Sequence, residues 1–274
     1  MTDEVRFELM RPSQIVAARR ACPVAYLPVG PLEWHGPHLP LGTDAMAAHR
    51  VAVEAARRVG GVVLPAYHLG SETVRAADGP QGLRPLGLEG HERVVGMDFP
   101  GNPVRSLYIE EGAFAVIIRE LVRLLKQNEY RLVVIVNGHG APNHMRALRR
   151  VAAEENEPPR AWVVFERSGA GPLAPEHDPG HAGRGETSVM MVEAPASVDL
   201  SALPPAGTPL RYRDYGIVNG AAFDGRPTAD FTVPAEADPR AASAGEGAAL
   251  LERNVERLAA QMRQYISTYL GGSR

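Results

Sequence analysis

The chain of 274 residues has a single cysteine, Cys22, and a single lysine, Lys126. A disulfide within the chain needs two cysteines, and thiolate-rich zinc or iron–sulfur sites need more. Schiff-base and pyridoxal-phosphate chemistry need a lysine nucleophile, and Lys126 falls in the last turn of what reads as a surface helix. Charge of one sign is also missing: 29 Lys plus Arg face 32 Asp plus Glu, a net charge of −3. That balance offers no electrostatic footprint for nucleic acid or an anionic membrane. No apolar run approaches the roughly 20 residues of a membrane span. The start, Met1-Thr2-Asp3-Glu4-Val5-Arg6, lacks the basic and then apolar pattern of a signal peptide, so the expected compartment is the cytoplasm. The excess of Arg over Lys reads as base composition rather than phosphate binding. Nine histidines and the carboxylates remain to carry any difficult chemistry.

Apolar residues at 45% and charged residues at 22% are ordinary for a globular chain with a buried core. The length suits one α/β domain over residues 1–274, with no linker, repeat or low-complexity tail to divide it. Cys22 to Val29 reads as a buried strand ending at Gly30-Pro31. Met46, His49, Val53 and Ala56 recur at helical spacing over Ala45 to Val59, with Gly60-Gly61 as a stop and Val62-Val63-Leu64 as the next strand. This β-loop-α-β order is the mark of a parallel sheet. Tyr67 to Tyr108 is a long excursion rich in Gly, Pro and Arg, the kind of segment that serves as lid or oligomer contact. A helix over Glu110 to Gln127 carries an apolar stripe of Phe114, Ile117, Ile118, Leu121, Leu124 and Leu125. Leu132 to Val136 reads as a central strand, followed by a helix to about Glu154 and a strand over Ala161 to Phe165. Leu251, Val255, Leu258, Met262, Tyr265 and Tyr269 mark a C-terminal helix.

Three polar clusters each follow a predicted strand. They are Glu33-Trp34-His35-Gly36-Pro37-His38 leading to Asp44, Asn137-Gly138-His139-Gly140-Ala141-Pro142-Asn143-His144, and Gly180-His181-Ala182-Gly183-Arg184-Gly185-Glu186-Thr187-Ser188. In open parallel sheets, sites form beyond the carboxyl ends of the strands, where such loops can converge. Glu33 and His35 alternate by two, which in extended chain puts them on one side. Mixed carboxylate and imidazole donors suit Zn, Mn, Fe or Ni rather than an all-oxygen Mg or Ca cage. A second metal would need further ligands, which His139 and Glu186 could supply with Asp44 between the two.

Each of these residues has a blander reading. His139 could cap a Gly-rich turn, Thr43 or Asp44 could cap the following helix, and Glu186 could be a first-turn acid favoured by the helix dipole. His49 reads as a satisfied core histidine, and His68, His91 and His144 fall in the same class. The turn at His139 lacks the Walker spacing and its lysine, so it is no phosphate cradle.

The stretch from Leu27 to Asp44, Leu-Pro-Val-Gly-Pro-Leu-Glu-Trp-His-Gly-Pro-His-Leu-Pro-Leu-Gly-Thr-Asp, closely resembles the signature of the creatininase family of metal-dependent amidohydrolases. Asn137-Gly138-His139-Gly140, and His181-Ala182-Gly183 with Glu186-Thr187-Ser188, resemble that family's second and third motifs, and Phe99-Pro100-Gly101 its entry to the next helix. The resemblance covers roughly Val24 to Met191. It implies a three-layer α/β/α sandwich with a mainly parallel central sheet, and a centre of two divalent metal ions (Zn, Mn or Fe). By matching positions, Glu33 and His139 would hold one ion, His35 the other, Asp44 would bridge, and Glu186 would complete the second site. It also implies a homo-oligomer, commonly a hexamer built from dimers, for which the Tyr67 to Tyr108 excursion could supply contacts.

Two departures bear on substrate. Creatinine-cleaving members carry an acidic ligand two positions after the second-motif histidine, where this chain has Ala141, and their His-Gly-Gly-Asn is lengthened here to His139-Gly140-Ala141-Pro142-Asn143. Those members also close a tryptophan-bearing lid, and residues 168–180 here contain no tryptophan. The expected activity is therefore hydrolysis of a C–N bond, other than a standard peptide bond, in a small cyclic amide or formamide. His181 is the candidate acid for the leaving nitrogen, with orientation of Glu186 or of a water as its other role, and Glu186 is both ligand and catalytic candidate. His38 is expected to support these ligands from behind. Three rivals stand beside this reading: ring opening of a cyclic keto-polyol by the same metals, removal of a short peptide during cofactor maturation, and a non-catalytic scaffold. Arg75, Arg84 and Arg184 read as surface arginines, with binding of a hydroxyl-rich or acidic substrate as their alternative. Cys22 and Lys126 fall outside every motif.

Overall fold

The structure, a computed structural model, describes residues 4–79, 82–169, 180–223 and 225–271. In chain order the elements are α1 (Pro12–Ala21), β1 (Val24–Gly30), α2 (Thr43–Val59), β2 (Val62–Val63), β3 (Tyr67–His68), β4 (Val74–Ala76), β5 (Arg93–Val95), α3 (Glu111–Gln127), β6 (Leu132–Asn137), α4 (Pro142–Glu154), β7 (Trp162–Arg167), α5 (Arg184–Glu193), the short α6 (Tyr212–Tyr215) and α7 (Gly220–Phe223), and α8 (Ala244–Tyr265). The main sheet runs β2-β1-β6-β7, and β3 pairs with the far end of β1. All its pairings are parallel, with Ala25 opposite Val62, Val29 opposite Tyr67 and Leu27 opposite Ile135. Every residue of β1 and β6 is buried, as expected for parallel strands covered on both faces.

Two helical layers cover the sheet. On one face α3 and α4 place Phe114, Ile118, Leu148 and Val151 against Leu27, Val133 and Ile135. On the other, α2 and α8 place Val51, Ala55, Leu251, Val255 and Leu258 against Tyr26, Val134 and Val136. The fold is thus α/β with helices on both faces of a mainly parallel sheet, the parallel sheet as the sequence pattern predicts and the three layers as the resemblance implies. The chain leaves β1 into the α2 layer and leaves β6 into the α4 layer. Adjacent parallel strands whose connections part to opposite faces leave a crevice at their carboxyl ends, and that crevice positions the site.

The sequence reading differs from the structure in places. The stripe assigned to the third helix is too wide: Phe114, Ile118, Val122 and Leu125 are buried, while Ile117 and Leu124 are 38% and 45% exposed. The excursion after β3 is organised, with β4 and β5 forming an antiparallel hairpin. Leu83, Leu86, Leu88, Val94, Met97 and Phe99 form a third apolar cluster with Leu210, Tyr212, Ile217 and Val218. The α2 helix is capped by Gly42 rather than by a side chain, and Thr43 Oγ1 donates to the Pro40 carbonyl. His49 is half-buried and its Nε2 has no hydrogen-bond partner among the described residues, so it is not the satisfied core histidine expected. Among the described residues, no helix is long and apolar enough to cross a membrane.

Candidate metal centre

Asp44 sits in the first turn of α2, wedged between the ends of two strands. A Cβ on Gly30 would lie 2.6 Å from Asp44 Cβ, and one on Gly138 would lie 2.1 Å from the Asp44 carbonyl oxygen. Only glycine at both positions lets the helix start press this close to β1 and β6. The side chain that results is 4% exposed and presents its two oxygens to two histidines. Oδ1 lies 3.2 Å from His35 Nε2, and Oδ2 lies 3.0 Å from His139 Nδ1.

His35 Nδ1 is 3.0 Å from the Glu33 carbonyl, which can only accept, so Nδ1 carries a proton and Nε2 is turned to the cluster. A backbone anchor of this kind fixes the ring of a metal-binding histidine. Nε2 also lies 3.6 Å from Glu186 Oε2, brought in by the first turn of α5. The Glu186 carboxylate accepts from the Ala182 backbone at 2.6 Å, so its helix-start role and its place in the cluster hold together. Glu33 receives the Tyr108 hydroxyl on Oε1 at 2.6 Å and turns Oε2 to His139 Nδ1 at 3.1 Å.

Glu33, Asp44 and His139 thus form one triad whose donor atoms lie within 4.8 Å of one another, and His35, Asp44 and Glu186 form a second. Glu33, His35 and His181 form a third. Five residues singled out from spacing and resemblance, Glu33, His35, Asp44, His139 and Glu186, are brought to one place. His181 joins them, its ring centroid 4.3 Å from that of His35. Its Nε2 donates to the Trp34 carbonyl at 2.5 Å, which leaves Nδ1 as the acceptor facing Glu33 Oε2 at 3.9 Å. This tautomer presents an acceptor nitrogen to the cluster.

The electrostatics favour positive charge in the cluster. Burial works against a charged His35, yet Asp44, Glu186 and Glu33 outweigh it and lift the ring to about 10. Burial likewise opposes charge on His139, and Glu33, Asp44 and Glu72 raise it well above the usual imidazole range. Asp44 is held far below the carboxylate range by His35 and His139 despite burial. Burial, only partly offset by His35, pushes Glu186 up to about 7. Burial and the charge of His35 bring His181 down to about 4. Paired carboxylates at this density, with imidazoles between them, form a donor set that fits divalent ions of the zinc and manganese kind.

The surrounding residues hold this geometry. Asn137 Oδ1 accepts from the His139 backbone at 3.0 Å and from His144 Nε2 at 2.9 Å, while its amide donates to the His139 carbonyl. His144 is a satisfied core histidine: its Nδ1 accepts from the Ser71 backbone and its ring stacks on Phe114. His38 Nε2 lies 3.0 Å from Thr187 Oγ1, one residue after Glu186 in α5. Phe99-Pro100-Gly101 does not lead directly into α3, which begins at Glu111.

Glu72 and Tyr108 are not assigned to the site by the sequence reading, and Arg75 reads as surface first and as substrate-binding second. Glu72 Oε2 lies 3.5 Å from His139 Nε2, on the ring edge opposite the triad. Ala141 brings no carboxylate to His139, and Glu72 brings one from the excursion. Tyr108 comes from the end of the same excursion. Arg75 is 8% exposed and lines the cavity of about 360 Å³ above the centre, together with Glu72, Met97 and Phe223. The surface reading is therefore wrong for Arg75 and right for Arg84, which pairs with Asp78 at 59% exposure. Arg184 is partly exposed and pairs with Glu246. A signal for Glu72 existed in the position of Gly70-Ser71-Glu72 just after β3, a further strand end beside β1. Of the segment 168–180, residues 170–179 lie outside the described residues.

Comparison with known proteins gives the same direction as the geometry. A family model described as Creatininase: Creatinine amidohydrolase matches residues 8–262. A creatinine amidohydrolase of Pseudomonas putida is 26% identical over 205 residues, which is 68% of this chain and 71% of that protein. A mycofactocin precursor peptide peptidase of Mycolicibacterium smegmatis is 31% identical over 178 residues, which is 64% of this chain and 60% of that one, so less than two thirds of that relative is spanned. A solved structure of a creatininase variant, Zn–Zn type, aligns over 96% of this chain and 98% of its own with a TM-score of 0.61 at 23% identity, a likeness of fold. A match of this extent, over motifs that the fold gathers at one sheet end, places the chain in the creatininase family.

Proposed function

We propose that the protein is a metal-dependent hydrolase that cleaves a C–N bond in a small cyclic amide or formamide. The observation that carries this is Asp44, whose two oxygens face two histidines belonging to separate metal-competent triads. In this reading Glu33, Asp44 and His139 hold one ion, and His35, Asp44 and Glu186 hold the other. Divalent ions at such a site make a water acidic near neutral pH and polarise a carbonyl oxygen.

The chain's own residues do the rest. The Glu33 carbonyl and Tyr108 hydroxyl fix His35 and Glu33 in their rotamers before substrate arrives. The Trp34 carbonyl holds the Nε2 proton of His181, so Nδ1 is the atom that can take up a proton. A proton taken there can be passed to the departing nitrogen, which makes His181 first an acceptor and then a donor. A cavity of about 360 Å³ suits a small-molecule substrate. The name of the Pseudomonas putida relative, an amidohydrolase, supports the same bond.

The test is metal analysis of protein purified without chelator, paired with a panel of cyclic amides, formamides and keto-polyols. The expected result is about two divalent ions per chain, as in two-metal hydrolases, and release of nitrogen-bearing product. Asp44→Asn should lose both ions along with hydrolysis. Full metal content in that variant would overturn the bridging role, and ring opening of keto-polyols alone would overturn the bond assignment.

A further inference from the structure

We propose that Arg75 is the residue that recognises the substrate, by binding a carboxylate on the ring that the metal centre cleaves. This deepens the metal-hydrolase reading and rests on it. The first observation is burial without matching partners. Arg75 is 8% exposed, yet among the described residues its guanidinium makes one hydrogen bond, Nη1 to the Gly96 carbonyl at 3.4 Å, and one long ion pair, Nη2 to Glu72 Oε1 at 3.7 Å. A guanidinium has five N–H donors in a planar fork, and burying it with so few acceptors is costly unless something else supplies them.

The second observation is that Glu72 is already committed. Its Oε1 accepts from the Thr73 backbone at 2.6 Å and from Thr73 Oγ1 at 3.0 Å, and its Oε2 faces His139. Glu72 therefore holds Arg75 close to the centre without satisfying it. The third observation is place. The Arg75 guanidinium lies over the Phe223 ring, 5.4 Å from its centroid, and both residues line the cavity that contains Glu33, Asp44 and Glu186. A ring beneath the guanidinium holds its plane while leaving its edge free for a bidentate acceptor.

Charge points the same way. Four acidic side chains, Glu33, Asp44, Glu72 and Glu186, line the cavity. Two divalent cations would balance them, and Arg75 would then stand as added positive charge. A planar fork in that position fits a carboxylate, and the apolar wall of Leu83, Leu86 and Met97 fits the carbon skeleton that bears it. The ligand class is thus a small cyclic amide carrying a carboxylate.

Two pairs of ligands differing by that one group test the assignment: 5-oxoproline against 2-pyrrolidinone, and hydantoin-5-acetate against hydantoin. Binding to the metal-loaded protein is measured by calorimetry or ligand-observed NMR. In each pair the carboxylate is expected to bind at least about tenfold tighter, as a charge-assisted bidentate contact allows. Arg75→Gln should erase that preference, and Arg75→Lys should keep part of it, with metal content unchanged in both. Equal affinity within the pairs, or a preference that survives in Arg75→Gln, would overturn the assignment. Metal content, measured first on the same samples, reports on the metal reading separately, so metal-loaded protein without the preference sinks the role of Arg75 alone.

Discussion

The loops that follow β1 and β6, and the excursion between β3 and α3, meet at the same cavity by different physics. The first two leave buried parallel strands, and their ligands are held by the strand ends themselves. Gly30 and Gly138 admit the start of α2, and the Asn137 side chain locks the backbone of His139. The excursion has only three-residue strands, and its order comes from an apolar cluster shared with the segment around Tyr212 and Val218. It brings Glu72, Arg75 and Tyr108 to the site as supports and walls. The comparison teaches that the strand-end loops set four of the proposed metal donors, with Glu186 added from α5, while the excursion sets what surrounds them.

The largest effect should come from breaking the first region at its tightest point. In Gly138→Ala the new Cβ would meet the Asp44 backbone at 2.1 Å, and a backbone atom has no rotamer by which to yield. The first turn of α2 must move, carrying the shared carboxylate away from both histidines. The expected outcome is loss of both ions in metal analysis and a fall in urea-unfolding stability of about 3 kcal/mol, the upper part of the usual overpacking range.

A smaller effect is expected from the second region at its contact with the first. Glu72 faces the His139 ring nitrogen opposite the Glu33–Asp44 triad, where a carboxylate commonly orients a metal-binding histidine. Glu72→Gln should weaken metal binding by roughly 10- to 100-fold, read by competition with a chelator, while the fold persists. An unchanged metal affinity would show that the excursion is wall only. Smaller again is Tyr108→Phe, which removes the hydrogen bond to the Glu33 carboxylate and the long one that the hydroxyl accepts from the Met97 backbone at 3.3 Å. The expected cost is about 1.5 kcal/mol in unfolding free energy, the low end for a bond to a charged group.

This difference between regions also explains what could be read from the sequence. Glu33, His35 and Asp44 lie in one stretch with an extended start and a helix at its end, and the strand before them is a plain apolar run. The strands and the long helices were legible for the same reason, since burial on both faces or on one stripe leaves a periodic trace. Glu72 follows a two-residue strand and Arg75 sits within a three-residue one, both too short for any period, and an acid or an arginine in such a segment looks like solvated surface. The excess width given to the α3 stripe has a related cause. Ile117 and Leu124 are apolar without being buried, and composition alone cannot separate them from Ile118 and Leu125. The tautomer of His181 depends on the Trp34 carbonyl, a backbone contact across 147 positions that no local pattern encodes.

The smallest effects should come from residues at the opposite end of the sheet. Cys22 precedes β1, and Lys126 lies at the end of α3, before β6 begins. Both therefore sit near the amino ends of strands whose carboxyl ends carry the site, about 20 Å of extended chain away at roughly 3.3 Å per residue. Burial raises the Cys22 thiol above its ordinary value, so it is held as an inert thiol rather than a nucleophile. Lys126 donates to the Glu155 carbonyl and carboxylate at 2.9 and 2.8 Å and to Glu157 at 2.7 Å, tying α3 to the chain after α4. Lys126→Gln should weaken the tie between α3 and the chain after α4 without unfolding the protein, and Cys22→Ser should leave the fold intact. Metal content and hydrolysis should match the wild type in both. A loss of metal in either variant would mean that the site is coupled through the full length of β1 and β6, and the separation between donor-setting loops and the rest of the fold would fail.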